Sequence, residues 1–271
     1  MKLLLTVLLV IVLGFVGMRA TAVPRGARTY IPEHEAAARI EFRGDSVHLD
    51  RVRDFSYAGD SAVARDYQVR GYRLADARAV WYGLSPFASW RGPAHAFLSF
   101  EFADSSYLVV SVEARRERGE SFSPIGGLLR RYELHYVIGS EPDVIGLRTS
   151  VWGDPVYLYP TTADAEQARQ LLEAVLIRAA GLEVRPEYYN TLTNNCATNL
   201  AAALNRVAPK RAPWRPALFL PGFSDTYAWR RGLLALDASP AQVRERYRID
   251  DRARSASRAE YSRRIRAFND T

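Results

Sequence analysis

The chain has 271 residues, of which 48% are hydrophobic and 25% are charged. This composition excludes a disordered or low-complexity chain, because there is enough apolar surface for a buried core. Four His and one Cys exclude a disulfide framework and argue against a structural zinc site. The formal net charge is +7, and all but two of the 37 basic residues are Arg. A net positive charge favours binding to anionic partners such as lipid headgroups or nucleic acid. The preference for Arg over Lys is also explained by a coding bias of the source genome.

The N-terminus begins with Lys2 and an almost wholly apolar run over residues 3–18. Such a run is typical of a retained signal-anchor, or of a cleaved signal with a small-residue site at 20–22. A buried core helix is the third interpretation. We favour a single membrane segment within residues 1–22, which exports the rest of the chain. An exported chain usually pairs its cysteines, so one unpaired Cys there requires an explanation.

After a predicted linker at 23–35 and strands within 44–57 and 66–74, a turn-rich stretch covers 83–94. The strings HAFLSFEF (95–102) and SYLVVSVEAR (106–115) then alternate apolar and polar residues and predict a hairpin with a three-residue loop. The apolar residues of the two strands face each other in only one register, in which the two residue numbers of each cross-strand pair add up to 208. This register places Glu113 directly across from His95, where a hydrogen bond can join them.

The rest of the chain predicts an α+β fold in which an antiparallel sheet packs on helices. A helix with Gly181 as its C-cap is followed by a polar loop and a shorter helix capped by Asn194 or Asn195. We divide the chain into a membrane segment at 1–22, a domain at 30–235 and an Arg-rich helical tail at 236–271. The further predicted elements are strands at 132–139, 143–151 and 155–159, and helices at 163–180, at 196–205 and from Ser239-Pro240 onward.

Cys196 is the main candidate for chemistry, since it sits at a predicted helix start, where the helix dipole stabilises a thiolate. A base for this thiol must titrate near neutral pH, and His95 lies on the strand face opposite the apolar row. Glu113 would orient that imidazole as the third member of a triad. The alternatives are an inert buried Cys, a structural strand His and a solvated Glu.

The remaining histidines, His34, His48 and His135, have no comparable context, and we interpret them as surface or structural residues. No cluster has the spacing of metal ligands, and no glycine-rich phosphate loop occurs, so we expect no metal and no cofactor. Nine Arg and four acids fall within 244–266, but few aromatic residues are interleaved with them. We therefore expect a solvated helix or a lipid headgroup contact there rather than nucleic-acid binding.

Several strings occur in an order that resembles the Lnb N-terminal periplasmic domain family of bacterial envelope proteins. They are VRDFSY (52–57), HAFLSFEF (95–102), SVEARRERGESFSP (111–124), YELHYVIGSEPDVIGLRT (132–149) and YNTLTNNCATNL (189–200). The resemblance covers roughly residues 30–225. It implies a permuted papain-like, NlpC-like fold in which the His precedes the Cys. One departure is Glu141-Pro142-Asp143, where the family motif usually has Arg between the two acids.

The resemblance also implies an acyltransferase that passes a fatty acyl chain to the N-terminal Cys of lipoproteins. Cys196 would be the nucleophile and His95 the base, with phospholipid or another acyl-lipid as donor at the inner membrane. Asn194, Asn195 and Tyr189 are candidates for the oxyanion or substrate contacts. Two other functions stay open: a papain-like envelope hydrolase (peptidase, amidase or thioesterase), and a non-catalytic module that binds lipid or lipoprotein.

Overall fold

The computed structural model describes residues 28–59, 61–207 and 219–268, together with isolated positions before residue 28. Most of the predicted membrane segment at 1–22 lies outside the described residues. In the described part of the chain, no helix is long and apolar enough to cross a membrane.

One mixed sheet of eight strands organises the described part of the chain. The strand order is β1-β2-β7-β6-β5-β4-β8, with β3 paired to β2 beside this path. Every pair is antiparallel apart from a single parallel contact between β2 and β7. The sheet and its helices confirm the α+β class. The strands are β1 (Arg39–Arg43), β2 (Ser46–Ala58), β3 (Ser61–Arg73), β4 (Ala77–Pro86), β5 (Ala94–Phe102), β6 (Tyr107–Arg115), β7 (Glu133–Gly139) and β8 (Tyr157–Pro160).

The β5–β6 hairpin has the predicted register. Leu98 pairs with Val110 and Phe100 pairs with Leu108, so the partner numbers sum to 208. On its other side β5 pairs with β4, which runs on to Pro86. The predicted turn-rich stretch therefore begins only after Pro86, because the first residues of that stretch hydrogen bond as the end of a strand.

Within residues 28–59, 61–207 and 219–268, eight α-helices surround the sheet. The longest, α3, begins with a capping box between Asp164 and Gln167. It continues to Val184, so the predicted C-cap at Gly181 is wrong. The helices are α1 (Pro124–Leu128), α2 (Glu141–Gly146), α3 (Ala165–Val184), α4 (Cys196–Val207), α5 (Ser224–Arg230), α6 (Pro240–Val243), α7 (Asp250–Ser255) and α8 (Tyr261–Ile265).

Both faces of the sheet are buried, because alternate side chains of each strand enter different cores. On β5, Leu98 and Phe100 belong to the core under α3 and α4, whereas Phe97 belongs to a second core on the opposite face. Residues of the Arg-rich tail, including Ile249 and Ile265, fill that second core and are fully buried. The tail therefore covers one face of the sheet.

The strand predicted at 143–151 is wrong: α2 ends at Gly146 and a π-helical turn continues over Leu147–Val151. The physical reason is a buried ion pair. Arg53 donates to both carboxylate oxygens of Asp143 at 2.7 and 2.9 Å, and the Phe55 N–H donates to the same group at 3.0 Å. These bonds hold Asp143 of α2 against β2.

The neighbouring acid in the Glu141-Pro142-Asp143 motif binds the C-terminal tail. Arg266 donates to the two oxygens of Glu141 at 2.6 and 2.8 Å, and its guanidinium lies 3.8 Å from the ring centroid of Tyr107. Both partners are buried. Each acid of the motif thus pairs with an Arg from a distant element although Pro142 stands between them.

Candidate active site

The position of Cys196 is fixed by the cap of α4. The Asn195 side chain accepts a hydrogen bond from the Thr198 N–H at 2.8 Å, and the Thr198 hydroxyl accepts one from the Asn195 N–H at 2.8 Å. This reciprocal pair confirms Asn195 as the N-cap and makes Cys196 the first residue of the helix. The thiol then lies at the end of the helix where the first N–H groups have no partner within the helix itself.

Cys196 is buried, with 4% of its surface exposed. Burial raises the pKa of its thiol to about 11, and the Glu113 charge acts in the same direction. The backbone N–H groups of Ala96 and Ala197 hydrogen bond to the sulfur and oppose this rise. The helix start therefore does not yield a resting thiolate, since the cost of desolvation exceeds the gain from the N–H groups. The group rests as a thiol that needs a base.

His95 is connected to Glu113 through a serine. The Nε2 atom of His95 lies 2.7 Å from the Ser111 hydroxyl oxygen, and that hydroxyl donates to Glu113 Oε1 at 2.7 Å. The direct distance from Nε2 to Glu113 Oε1 is 3.2 Å. The sequence predicted the carboxylate but missed Ser111. The sequence pattern could have identified Ser111, because it precedes Glu113 by two residues and therefore lies on the same face of β6.

This network fixes the tautomer of His95. An ionised carboxylate only accepts hydrogen bonds, so Ser111 gives its one proton to Glu113 and must accept from His95. Nε2 therefore carries the ring proton, and Nδ1 carries the lone pair. Since Nδ1 is the basic nitrogen, it is the atom that can take a proton from a nucleophile.

A buried arginine sets the charges of the site. Arg148, another residue that sequence reasoning missed, donates to Glu113 Oε1 at 2.7 Å and is itself buried. Burial, followed by the Arg148 charge, lowers the pKa of His95 to about 3. Burial would raise the pKa of Glu113, but its pKa lies well below the usual range, and the charge of Arg148 and the hydrogen bond from Ser111 contribute to this lowering. At neutral pH the imidazole is therefore neutral and the carboxylate is ionised. The expectation that His95 titrates near neutral pH is wrong for the resting site, because burial lowers its pKa.

Cys196, His95 and Glu113 line one cleft of roughly 640 Å³, within the size range of small-molecule sites. Aromatic and aliphatic side chains form most of its wall and its mouth. Trp90 is 56% exposed and Phe87 is 44% exposed, although both are large apolar residues. Clustered exposed apolar residues at a cleft mark a binding surface for an apolar or amphiphilic partner. The other exposed apolar residues of this wall are Trp152 and Leu192.

The three oxyanion candidates differ in position. Asn194 is not among the cleft residues, since its amide donates to the Tyr188 carbonyl at 3.0 Å and accepts from Asn199 at 2.9 Å. Asn195 lines the cleft, but its amide caps α4 and donates to the Thr191 carbonyl. Tyr189 also lines the cleft, and burial raises the pKa of its phenol well above the usual value. Tyr189 therefore lines the cleft with a phenol that stays protonated at neutral pH, and its side chain, unlike that of Asn195, does not cap α4.

His34 and His135 are buried, so of the two predicted alternatives, surface or structural, the structural one applies to both residues. Their ring centroids lie 5.7 Å apart, and His34 Nδ1 accepts a hydrogen bond from the Arg116 N–H at 3.0 Å. His135 is the cross-strand partner of Glu113 on β7. Over the described ranges, no group of three or more His, Cys, Asp or Glu side chains is arranged to hold a metal ion.

Comparison with known proteins gives one positive result. The family model of the Lnb N-terminal periplasmic domain matches residues 65–222, more than half of the 271-residue chain. The match includes β4 to β8, α4 and all of the candidate site residues. Searches of curated proteins and of solved structures return no match. The chain therefore carries a periplasmic domain and belongs to the Lnb N-terminal periplasmic domain family.

Proposed function

We propose that this domain is a thiol acyltransferase that carries its acyl group on Cys196. One observation carries the proposal: a buried thiol at a helix start shares an apolar-walled cleft with an imidazole whose Nδ1 is the basic nitrogen. The order of the elements, with the His on a strand before the Cys on a helix, fits the permuted papain-like fold that we propose for the domain.

In the first step, His95 Nδ1 takes the proton of the Cys196 thiol, and the sulfur attacks the carbonyl carbon of an acyl ester. The negative charge that develops on the carbonyl oxygen meets the Cys196 N–H and the Tyr189 hydroxyl. The C–O bond of the ester then breaks, and His95 returns the proton to the departing alcohol. The product is an acyl thioester on Cys196 and a neutral imidazole.

In the second step, an amine attacks the thioester carbon and gives its proton to His95. The C–S bond breaks, an amide forms, and the proton returns to the sulfur. We propose an acyl-lipid such as a phospholipid as the donor and the N-terminal amine of a lipoprotein as the acceptor. The N-terminal apolar segment would anchor the domain to the inner membrane, which holds the donor. Water in place of the amine would make the same site a hydrolase.

The test is intact-protein mass spectrometry of the full chain after incubation with phospholipid in detergent. We expect a fatty acyl adduct on Cys196 that hydroxylamine removes and that His95→Ala abolishes. His48→Ala is the matched control, because His48 lies on β2 outside the cleft. An adduct that turns over only with added amine identifies the transferase, whereas free fatty acid without amine identifies a thioesterase. If Cys196 reacts with iodoacetamide but never acquires an acyl group, the proposal is wrong.

A further inference from the structure

A second cavity, which we call the inner pocket, has a volume of roughly 170 Å³. It lies between one side of α4, the face of β4 and β5 that α4 covers, and α5. Its wall is almost wholly apolar, with Tyr82 and Leu98 from the sheet and Tyr227 and Ala228 from α5. The residues that α4 contributes are Ala197, Leu200, Ala201, Leu204 and Val207.

The inner pocket adjoins the cleft that holds the nucleophile. Ala197, which follows Cys196 directly, lines the pocket, whereas Cys196 lines the cleft. Ser224 also lines the pocket and donates to the carbonyl of Pro221, a cleft residue. The Tyr82 hydroxyl lies 2.6 Å from the Ser224 hydroxyl, so these two side chains stand at the boundary between the two cavities.

The size and the lining of the inner pocket indicate what it binds. An apolar cavity of about 150 Å³ in another protein stays dry and takes up benzene, a six-carbon hydrocarbon. The inner pocket therefore has room for a chain segment of about six carbons, and its wall gives a polar group few partners. A ligand bonded to the Cys196 sulfur would reach it along the first two turns of α4.

We infer that the inner pocket binds the hydrocarbon chain of the acyl group carried on Cys196. This inference rests on the proposed function and adds to it a preference for chain length. The ester carbonyl remains beside His95 in the cleft, and the chain passes Ala197 and lies along Leu200, Ala201 and Leu204. Acyl groups long enough to enter the pocket gain apolar contact there, whereas an acetyl group does not reach it.

The test compares p-nitrophenyl acetate with p-nitrophenyl octanoate, using the full chain in detergent and following nitrophenolate release. Ala201→Phe fills the inner pocket, and Ala202→Phe is the matched control, because Ala202 is exposed on the same helix. We expect Ala201→Phe to lower kcat/KM for octanoate by about tenfold or more while leaving acetate unchanged. Ala202→Phe should change neither value. An equal loss for both esters in Ala201→Phe would overturn the inference.

A binding measurement separates this inference from the proposed chemistry. The fluorescent fatty acid cis-parinaric acid is titrated into full chain carrying Cys196→Ser, held in an amphipol, with and without Ala201→Phe. We expect the added Phe to weaken binding by about tenfold. If wild type releases no nitrophenolate but this loss of binding occurs, the acyl-transfer proposal fails and the pocket remains a fatty-chain site. Equal binding in the two proteins refutes the pocket, whatever the esters show.

Discussion

The Nε2 atom of His95 and the hydroxyl oxygen of Ser111 lie 2.7 Å apart, and the same hydroxyl donates to Glu113. The carboxylate thus acts on the imidazole through a serine as well as directly, at 3.2 Å. Because the serine fixes the ring proton on Nε2, it determines that Nδ1 is the basic nitrogen of the ring.

Removing the Ser111 hydroxyl should slow acylation of Cys196 without preventing it. In Ser111→Ala the direct contact from His95 to Glu113 remains but is long, so the wrong tautomer becomes more populated. We expect kcat for p-nitrophenyl ester cleavage to fall by about ten- to a hundredfold, with KM unchanged. Ser111→Thr keeps a hydroxyl and should recover most of the rate. A wild-type rate in Ser111→Ala would show that the serine does not set the tautomer.

Replacing Glu113 should destabilise the fold as well as the site. Glu113→Gln removes the partner of Arg148, a buried cation, and such a loss costs about 3–5 kcal/mol. The double variant Glu113→Gln with Arg148→Met removes both charges, so it should recover much of the free energy of unfolding but none of the activity. Urea denaturation of the two single variants and the double variant measures this coupling. If the losses in the free energy of unfolding of the two single variants simply add in the double variant, Glu113 and Arg148 are not coupled.

The reactivity of Cys196 should report a thiol rather than a preformed thiolate. Burial raises the pKa of the Cys196 thiol to about 11, while burial lowers the pKa of His95 to about 3, so neither group is charged at neutral pH. We expect the rate of alkylation by iodoacetamide to rise steadily from pH 7 to about 10 without a plateau. Mass spectrometry follows the product. A plateau reached below pH 7 would reveal a thiolate–imidazolium pair instead.

Three buried histidines should make the domain sensitive to acid. Burial is the main cause that lowers the pKa of His34 and of His95 to about 3, and that of His135 well below its usual value. The unfolded chain therefore binds protons first as the pH falls below about 6.5. Stability is complete above that pH. As the pH falls from there toward the folded-state pKa of each His, that residue lowers the free energy of unfolding by about 1.4 kcal/mol per pH unit.

Denaturant unfolding between pH 7.5 and 4.5 measures this slope, which should approach about 4 kcal/mol per pH unit from the three residues together. The double variant His34→Gln with His135→Gln should leave about one third of it. His48→Gln is the control, since His48 is only half-buried on β2. The slope, rather than the absolute stability, is the quantity to compare, and an unchanged slope in the double variant would refute the assignment.

The hairpin and the helix start were predictable because both follow from local rules. Alternation of apolar residues around a short loop leaves one favourable register for β5 and β6, and that register brings Glu113 to His95. Asn followed by an apolar helical stripe likewise marks the start of α4. Most of the central site could therefore be derived from about twenty residues of sequence.

Other parts depend on contacts that no local pattern reveals. The run at 143–151 is apolar enough for a strand, but it is helical, and its first residue, Asp143, is paired with Arg53, 90 positions away. Arg148 lies in that misassigned segment, so its bond to Glu113 could not be foreseen. The tail has the charge of a solvated helix, yet Ile249 and Ile265 enter the core.

The C-terminal tail determines when the second core of the domain can form. Arg258 hydrogen bonds to Asp54, a residue 204 positions earlier, and Arg266 neutralises Glu141 in the interior. Synthesis starts at the N-terminus, so Asp54 and Glu141 are made long before Arg258 and Arg266. The second core also lacks one wall until Ile265 is present. The second core can therefore close only when nearly the whole sequence is present, so a chain cut off before Ile265 would leave that face of the sheet uncovered.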